Sequence, residues 1–336
     1  MLNNNLVVRE RSLAAAGRFD MSEKEVERTL DFALVVDSTT VIDPEVSDLL
    51  EVQKVPLYIT LGKETRPEPE WTIEEIVAGY DTLPCKTACP SAGEFESCFE
   101  KLLDEGYKGI VCIPMTKGVS GTYLAARMAK ESLKEKGENI HIVDVALANY
   151  GVTTLLNASV PYLKKGIDAK GYAEKLEKLA HSSSEIWTLG SLDHLYKGGR
   201  LSKFSFAIGN LLHIKPIIGV SPETGGLDVE KKVRTFSEVD SYMINRVKDF
   251  YERFKRVYVR FINLGDEDQA ANLKARVLEA CPRIEWSSIS EVGPLFTVHL
   301  GRNGYGLCCI GDGPIASKMD TGAKSWLDIL RIRKQK

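Results

Sequence analysis

The chain has 336 residues, of which 43% are hydrophobic and 27% charged, and its formal net charge is −3. This length predicts two domains rather than one. No apolar run approaches the ~18 residues that cross a bilayer, so no integral membrane span is expected. The two signs of charge are mixed along the chain, without the basic stripe of a nucleic-acid-binding protein, so no nucleic-acid partner is expected.

The cysteines and the N-terminal segment bear on the cellular location. Seven cysteines occur without a Cys-x-x-Cys pair or a matching histidine cluster, which favours a reduced, cytoplasmic setting and predicts no metal site. Residues 1–30 are predicted to be an N-terminal extension, because their apolar patch at residues 6–8 is shorter than the ~7–15-residue core of a signal peptide. Within the extension, Ser22 and Glu25 form a capping-box pair that predicts a short helix.

The first half of the chain alternates strand and helix patterns. Short, uniformly apolar runs bounded by turn residues are typical of strands buried on both faces. The predicted strands are 32–37, 55–61, 109–115 and 140–145, and the predicted helices between and after them are 92–106, 122–137 and 149–163. This alternation predicts a parallel, doubly wound α/β sheet in a domain spanning residues 31–166.

The second half has a different pattern. It predicts an α+β domain over residues 167–315 with a mixed or antiparallel sheet, followed by a C-terminal segment, 316–336. A Pro-Glu-Thr-Gly-Gly turn between the runs 215–220 and 227–236 indicates a hairpin. The other predicted helices are 168–179, 239–254 and 266–281, and the other predicted strands are 186–191, 257–265, 283–288 and 294–301.

Three polar loops lie where predicted strands and helices of the first half meet. Residues 37–40 follow the first predicted strand, and residues 86–91 and 118–122 each precede a predicted helix. The carboxyl ends of parallel strands and the N-termini of the following helices meet at one edge of the sheet, which suits an anion. Simple helix capping explains any single loop equally well. Because the chain has neither GxxxxGK[ST] nor GxGxxG, a carboxylate is favoured over a nucleotide phosphate.

Several motifs together resemble the DegV family of bacterial fatty-acid-binding proteins. They occur in the family's order from about residue 32 to residue 311. The motifs are DST (37–39), VPL (55–57), TACPS (87–91), VSGTY (119–123), VDVA (143–146), LDHLYKGGRLS (192–202), LLHIKPII (211–218) and VGPLFTVHLG (292–301).

The resemblance implies a function. It implies a two-domain protein that holds one long-chain fatty acid in a tunnel between its domains, with transient membrane contact for lipid exchange. A separate fatty acid kinase subunit would convert the presented carboxylate to acyl phosphate, so the chain itself would have no catalytic residue and no cofactor beyond its bound lipid.

The resemblance also implies site residues. The carboxylate would be bound by Thr87, Ser120, the Gly121 N–H and His299. Ser38, Arg200 and Arg234 are predicted contacts of the ligand or of the kinase. The chain departs from the family pattern at Ala88 and Cys89, where a hydroxyl and an amide are usual, and in the loop that follows His299.

Two alternatives from other classes stay open on sequence. Ser120 lies in GVSGT, which partly matches the GxSxG nucleophile elbow, and His299 would then act as the base of a serine hydrolase or esterase. The same polar loops would also suit an α/β enzyme that binds a phosphate ligand, although no acidic cluster for Mg²⁺ accompanies them.

Overall fold

The structure is a computed structural model that describes residues 30–148, 150–200 and 214–315. The predicted Ser22–Glu25 cap and the C-terminal segment lie outside these residues. The strands are β1 (Phe32–Asp37), β2 (Val52–Val55), β3 (Tyr58–Leu61), β4 (Glu64–Pro67), β5 (Cys85–Ala88), β6 (Gly109–Ile113), β7 (Ile140–Ile142), β8 (Ser183–Thr188), β9 (Lys215–Val220), β10 (Leu227–Val233), β11 (Phe254–Leu264), β12 (Trp286–Glu291) and β13 (Gly304–Pro314). The α-helices are α1 (Pro44–Ser47), α2 (Ile73–Gly79), α3 (Ala92–Asp104), α4 (Thr122–Ser132), α5 (Tyr150–Leu163), α6 (Ala169–Ala180), α7 (Asp193–Lys197), α8 (Phe236–Arg253), α9 (Glu267–Ala280) and α10 (Pro294–Leu300).

The first sheet is parallel and doubly wound, as predicted. Its strand order is β2-β1-β6-β7. Alternate residues of β1 point to opposite faces, so Val35 packs with α3 and α4, while Leu34 packs with α5 and α6. Helix α3 begins with a capping box between Ser91 and Glu94. The carboxyl ends of the strands therefore meet the N-termini of the helices at one edge.

The predicted single strand 55–61 is wrong, because the chain changes sheet at this point. Val55 ends β2 in the parallel sheet, and Tyr58 begins β3 in a small antiparallel sheet of order β4-β3-β5. Pro56 has no N–H to donate and so interrupts the ladder. Leu57 N instead donates to Ser38 Oγ at 3.1 Å. The small sheet carries Thr87 on β5, opposite Ile59 of β3.

The second sheet is mixed, with the order β10-β9-β8-β13-β11-β12. The predicted hairpin is confirmed as the antiparallel pair β9 and β10, and β11 and β12 form a parallel pair. Helices α8 and α9 cover one face, where they pack with Ile186, Val259 and Phe261. The opposite face is turned toward the first half of the chain.

Residues 294–301, predicted as a strand, form helix α10 instead. Pro294 occupies the first helical position, where a missing N–H costs nothing. Gly301 ends the helix with φ +69°, in the left-handed region. The last strand is β13, which the sequence analysis missed because four glycines weaken its strand pattern.

The two halves of the chain share their buried core. Two apolar clusters contain residues of both halves, one around α5 and one around Trp187. Polar pairs cross the same boundary: Arg260 of β11 binds Asp43, and Asp312 of β13 accepts a hydrogen bond from the Tyr162 hydroxyl at 2.8 Å. The predicted domain boundaries at residues 30, 166 and 315 stay predictions. Within the described ranges, no helix is both long and apolar enough to cross a membrane.

Two glycines let the backbones of the two halves touch. A methyl group on Gly118, in the loop after β6, would lie 2.1 Å from the carbonyl carbon of Gly225 in the β9–β10 turn. A methyl group on Gly225 would lie 2.0 Å from Thr116 Oγ1, and Gly225 has φ +67°. Only glycine allows so close an approach.

We therefore expect Gly118→Ala to lower the free energy of unfolding by about 1–3 kcal/mol, because the added methyl group overpacks this contact. Urea denaturation would measure the change. Gly93→Ala is the matched control, since a methyl group there would meet only Ser91 Oγ, at 4.0 Å. Equal stability of the Gly118→Ala variant and the wild-type protein would contradict the contact.

Candidate functional site

A cavity lies between the two halves and is lined by residues of both. The space between its walls amounts to about 520 Å³, a volume that includes open solvent at the mouth. Its walls are mostly apolar and include Leu57, Met115, Trp187, Leu227 and Phe296. The sequence could not single these residues out, because the walls of a cavity and an ordinary core have the same composition.

Three polar side chains of the lining are called here the polar cluster: Thr87, Ser120 and His299. Arg200 also lines the cavity. Thr87 and His299 are 212 positions apart in the chain, and the structure places Thr87 Oγ1 2.8 Å from His299 Nε2. Strand β5 and helix α10 supply these two side chains. The structure thus brings together three of the four predicted carboxylate ligands, namely Thr87, Ser120 and His299.

The imidazole of His299 is half-buried in the wall of the cavity. Its Nδ1 lies against Gly198, where a methyl group would approach it to 2.6 Å, and it has no hydrogen-bond partner among the described residues. Burial lowers the pKa of His299 to about 4, and the nearby charges of Arg200 and His194 act in the same direction. The ring is therefore neutral at pH 7 and has one donor and one acceptor nitrogen.

A buried carboxyl of the first half holds the helix that carries His299. Glu68 is only 5% exposed, and it accepts a hydrogen bond from the Leu295 N–H in the first turn of α10. Burial raises the pKa of Glu68 to about 7, although a hydrogen bond from Ser38 opposes the shift. Ser38 is thus bonded within the protein and is absent from the cavity lining, and its predicted contact role stays a prediction.

Ser120 lies just before α4 and lines the cavity. Its Oγ accepts from Thr122 N at 3.3 Å and lies 2.8 Å from Thr122 Oγ1. Gly121 is the N-cap of α4 and is exposed. A methyl group on Gly121 would lie 3.2 Å from Cys89 Sγ, so the loops 86–91 and 118–122, both predicted to precede helices, meet at this point.

The two arginines predicted to contact ligand or kinase differ in position. Arg200 is half-buried and lines the cavity, and its Nη1 donates to the Gly198 carbonyl. Arg234 is exposed just before α8, and its backbone N–H donates to Glu238 at 3.0 Å. Arg234 is not part of the cavity lining, so the structure brings only Arg200 to the site.

A second, smaller cavity adjoins the first, and the space between its walls amounts to about 220 Å³ with open solvent included. The two cavities share Trp187, Phe296 and Leu300 in their linings. The second also contains Glu185, a buried acid that the sequence analysis did not single out. Together the cavities form an apolar space with the polar cluster in the lining of the larger one.

The positions of His299 and Ser120 bear on the serine hydrolase alternative, and the grouping of acidic, histidine and cysteine side chains bears on metal binding. His299 pairs with Thr87, and the described residues form no hydrogen bond between His299 and Ser120 of the kind a serine hydrolase uses. In the part of the chain that the structure describes, no group of three His, Cys, Asp or Glu side chains could hold a metal ion.

The fold and the cavity define a class of protein: two α/β units that enclose an apolar space lined in part by hydroxyl, imidazole and guanidinium groups. The chain belongs to the DegV family, whose family model, described as an uncharacterised protein of the DegV family, matches residues 31–312. This confirms the resemblance carried by the motifs. A DegV domain-containing protein of Staphylococcus aureus strain N315 is 28% identical over 287 residues, which are 84% of this chain and 98% of that protein.

Solved structures confirm the fold. A fatty-acid-binding DegV family protein from Thermus thermophilus superposes with a TM-score of 0.76 at 24% identity, over 84% of this chain and 99% of that chain. The Fatty Acid Kinase (Fak) B3 protein of Streptococcus pneumoniae, solved with linoleic acid, gives a TM-score of 0.71 at 22% identity, over 83% of this chain and 99% of that chain.

His299 should titrate near pH 4 rather than near its ordinary value of 6.5, because its burial disfavours the charged ring. A ¹H–¹³C NMR titration of the histidine rings in the ligand-free protein would measure this, with the His299→Gln variant identifying the resonance. Titration near pH 6.5 would mean that the ring is hydrated at this position.

Proposed function

We propose that the protein binds one long-chain fatty acid in the cavity and presents its carboxylate to a separate kinase subunit, which forms acyl phosphate. The observation that carries the proposal is the Thr87–His299 pair in the lining of an apolar cavity between the halves. Three features support the proposal: the apolar walls of the cavity, the polar side chains in its lining, and its opening to solvent.

The apolar walls suit a hydrocarbon tail. Burial of one CH₂ group contributes about 0.8 kcal/mol, so a chain of ~16 carbons contributes roughly 13 kcal/mol before the ordering costs are subtracted. The adjoining second cavity extends the space available to the tail. Burial of the tail would therefore provide most of the affinity, and the polar cluster would set the direction of the chain.

The polar cluster suits a carboxylate. An unpaired buried charge costs several kcal/mol, so the head group needs donors. When His299 Nε2 carries the proton and donates to Thr87 Oγ1, the Thr87 hydroxyl hydrogen is free for a ligand oxygen. Ser120 Oγ and the Gly121 N–H would supply further donors. In this arrangement the neutral ring of His299 orients the Thr87 hydroxyl.

The partner would be an enzyme that transfers a phosphoryl group from ATP. Such a kinase needs access to the carboxylate, and the first cavity is partly open to solvent. Among proteins with this fold, the Streptococcus pneumoniae Fak B3 protein is named as part of a fatty acid kinase. We place the protein in the cytoplasm, where ATP is available and where its seven free cysteines remain reduced.

The two alternative functions have less support. A serine hydrolase would need a base at Ser120, whose hydroxyl is bonded to Thr122 while His299 is bonded to Thr87. A phosphate ligand would favour several cations, whereas the lining of the first cavity contains one arginine and no lysine.

Thr87→Val and Ser120→Ala should each weaken fatty-acid binding by roughly 10–150-fold, since a hydrogen bond to a charged group contributes about 1.5–3 kcal/mol. Calorimetric titration of the delipidated protein would give the affinities. Thr60→Val and Ser47→Ala are matched controls, because both hydroxyls make only exposed contacts. Unchanged affinity in both test variants would remove the head-group assignment.

Arg200→Gln should leave the affinity for the fatty acid within about twofold of the wild-type value and lower acyl phosphate formation about tenfold, because in this proposal the guanidinium contacts the kinase, and charges at the edge of an interface mainly affect association with the partner. The assay would combine this protein, a purified fatty acid kinase subunit and ATP. Arg234→Gln, outside the cavity, tests the second predicted arginine in the same assay. A large loss of lipid affinity in Arg200→Gln would instead place the guanidinium on the ligand.

A further inference from the structure

Strand β8 carries two polar side chains into the wall of the second cavity. Ile186 packs with α8 and α9 on the outer face, so its neighbours Glu185 and Trp187 point to the opposite face, toward the cavity that both of them line. Because they are two residues apart on the strand, both side chains point to the same face, and their Cα atoms are about 7 Å apart. The other lining residues are apolar: Ile262, Leu264, Val292, Phe296 and Leu300.

Trp187 provides a hydrogen-bond donor without a protein acceptor. The residue is 3% exposed and lines both cavities. Its indole N–H is buried and has no hydrogen-bond partner within the described ranges. Buried donors of this kind nearly always find an acceptor, and an indole nitrogen can only donate. An all-hydrocarbon tail would leave this N–H unpaired.

Glu185 provides the complementary group. It is 3% exposed, and its two oxygens accept from Ala148 N at 2.8 Å and Gly151 N at 3.2 Å, at the start of α5. A carboxyl group has about four acceptor positions, so two remain. Burial raises the pKa of Glu185 to about 8, and the protonated acid adds one donor. The side chain can therefore both accept from and donate to a neighbouring oxygen.

We infer that the second cavity recognises a hydroxyl group on the acyl chain, which accepts from the Trp187 indole and donates to Glu185. The ligand class is then a long-chain hydroxy fatty acid, and Trp187 and Glu185 are specificity residues. This inference rests on the proposed function, because the carboxylate must occupy the polar cluster for the chain to reach the second cavity. The distance between the two sites selects the position of the hydroxyl along the chain.

The test compares the affinities of stearic acid and of stearic acids hydroxylated at carbons along the chain, measured by displacement of a fluorescent fatty acid from the delipidated protein. The wild-type protein should bind one hydroxylated isomer roughly 5–10-fold more tightly than stearic acid, as expected for a net gain of one or two hydrogen bonds. Trp187→Phe should reduce that ratio to near one. Glu185→Met, which has a similar length but removes both the acceptor and the donor, should reduce it as well, and the Trp187→Phe result stands by itself if the Glu185 variant does not fold.

Trp71→Phe is the matched control. Trp71 is also buried and its indole N–H is also unpaired within the described residues, but it lines neither cavity, so its variant should keep the preference. If the wild-type protein binds every hydroxylated isomer and stearic acid with equal affinity, the inference is overturned while the proposed function stands. A preference that survives in both test variants would also overturn it. If no acid binds at all, the proposed function fails and the inference fails with it.

Discussion

The contact between Thr87 and His299 is the interaction on which the rest of the site depends. It joins a strand of the small antiparallel sheet to a short helix of the second half, and it closes one part of the wall around the cavity. For it to form, the second sheet must present its inner face to the first half. It also requires the first turn of α10 to lie next to the buried carboxyl of Glu68, which accepts from the Leu295 N–H.

Carboxyl groups of each half cap helices of the other half. Glu68 of the first half accepts from the first turn of α10, and Glu185 of the second half accepts from the backbone at the start of α5. The positive ends of helix dipoles favour such partners. Since both carboxyls are buried, their pKa values are raised to about 7 and about 8. The interface between the halves is thus set by paired polar groups as well as by apolar packing, and its geometry fixes the cavity.

Much of the fold was predictable from local patterns. The continuous apolar runs of β1 and β6 indicated buried parallel strands. The loops that precede α3 and α4 were expected at one edge, and the contact of Gly121 with Cys89 brings them together there. Residues 294–301 were misread because β-branched and aromatic residues favour a strand, whereas Pro294 and Gly301 fix a helix. The split at Pro56 and the glycine-rich β13 were missed for similar reasons: sheet partners override a weak local preference.

The candidate site was predictable only in part. The polar loops pointed to the segments that contain Thr87 and Ser120, and the family resemblance singled out these two residues and added His299 and Arg200. The residues of the wall, including Trp187 and Glu185, carry no signal, because their position depends on which face of β8 meets the other half. Which polar atoms pair across that interface depends on the folded arrangement of the two halves, so local sequence patterns do not predict it.

The central claim is that the cavity holds one fatty acid, and native mass spectrometry of the purified protein, followed by denaturation and identification of the released lipid, tests it most directly. The account predicts a complex with one acyl chain per protein molecule, which denaturation releases as a free fatty acid. A protein that is empty on purification and takes up no added fatty acid would contradict it.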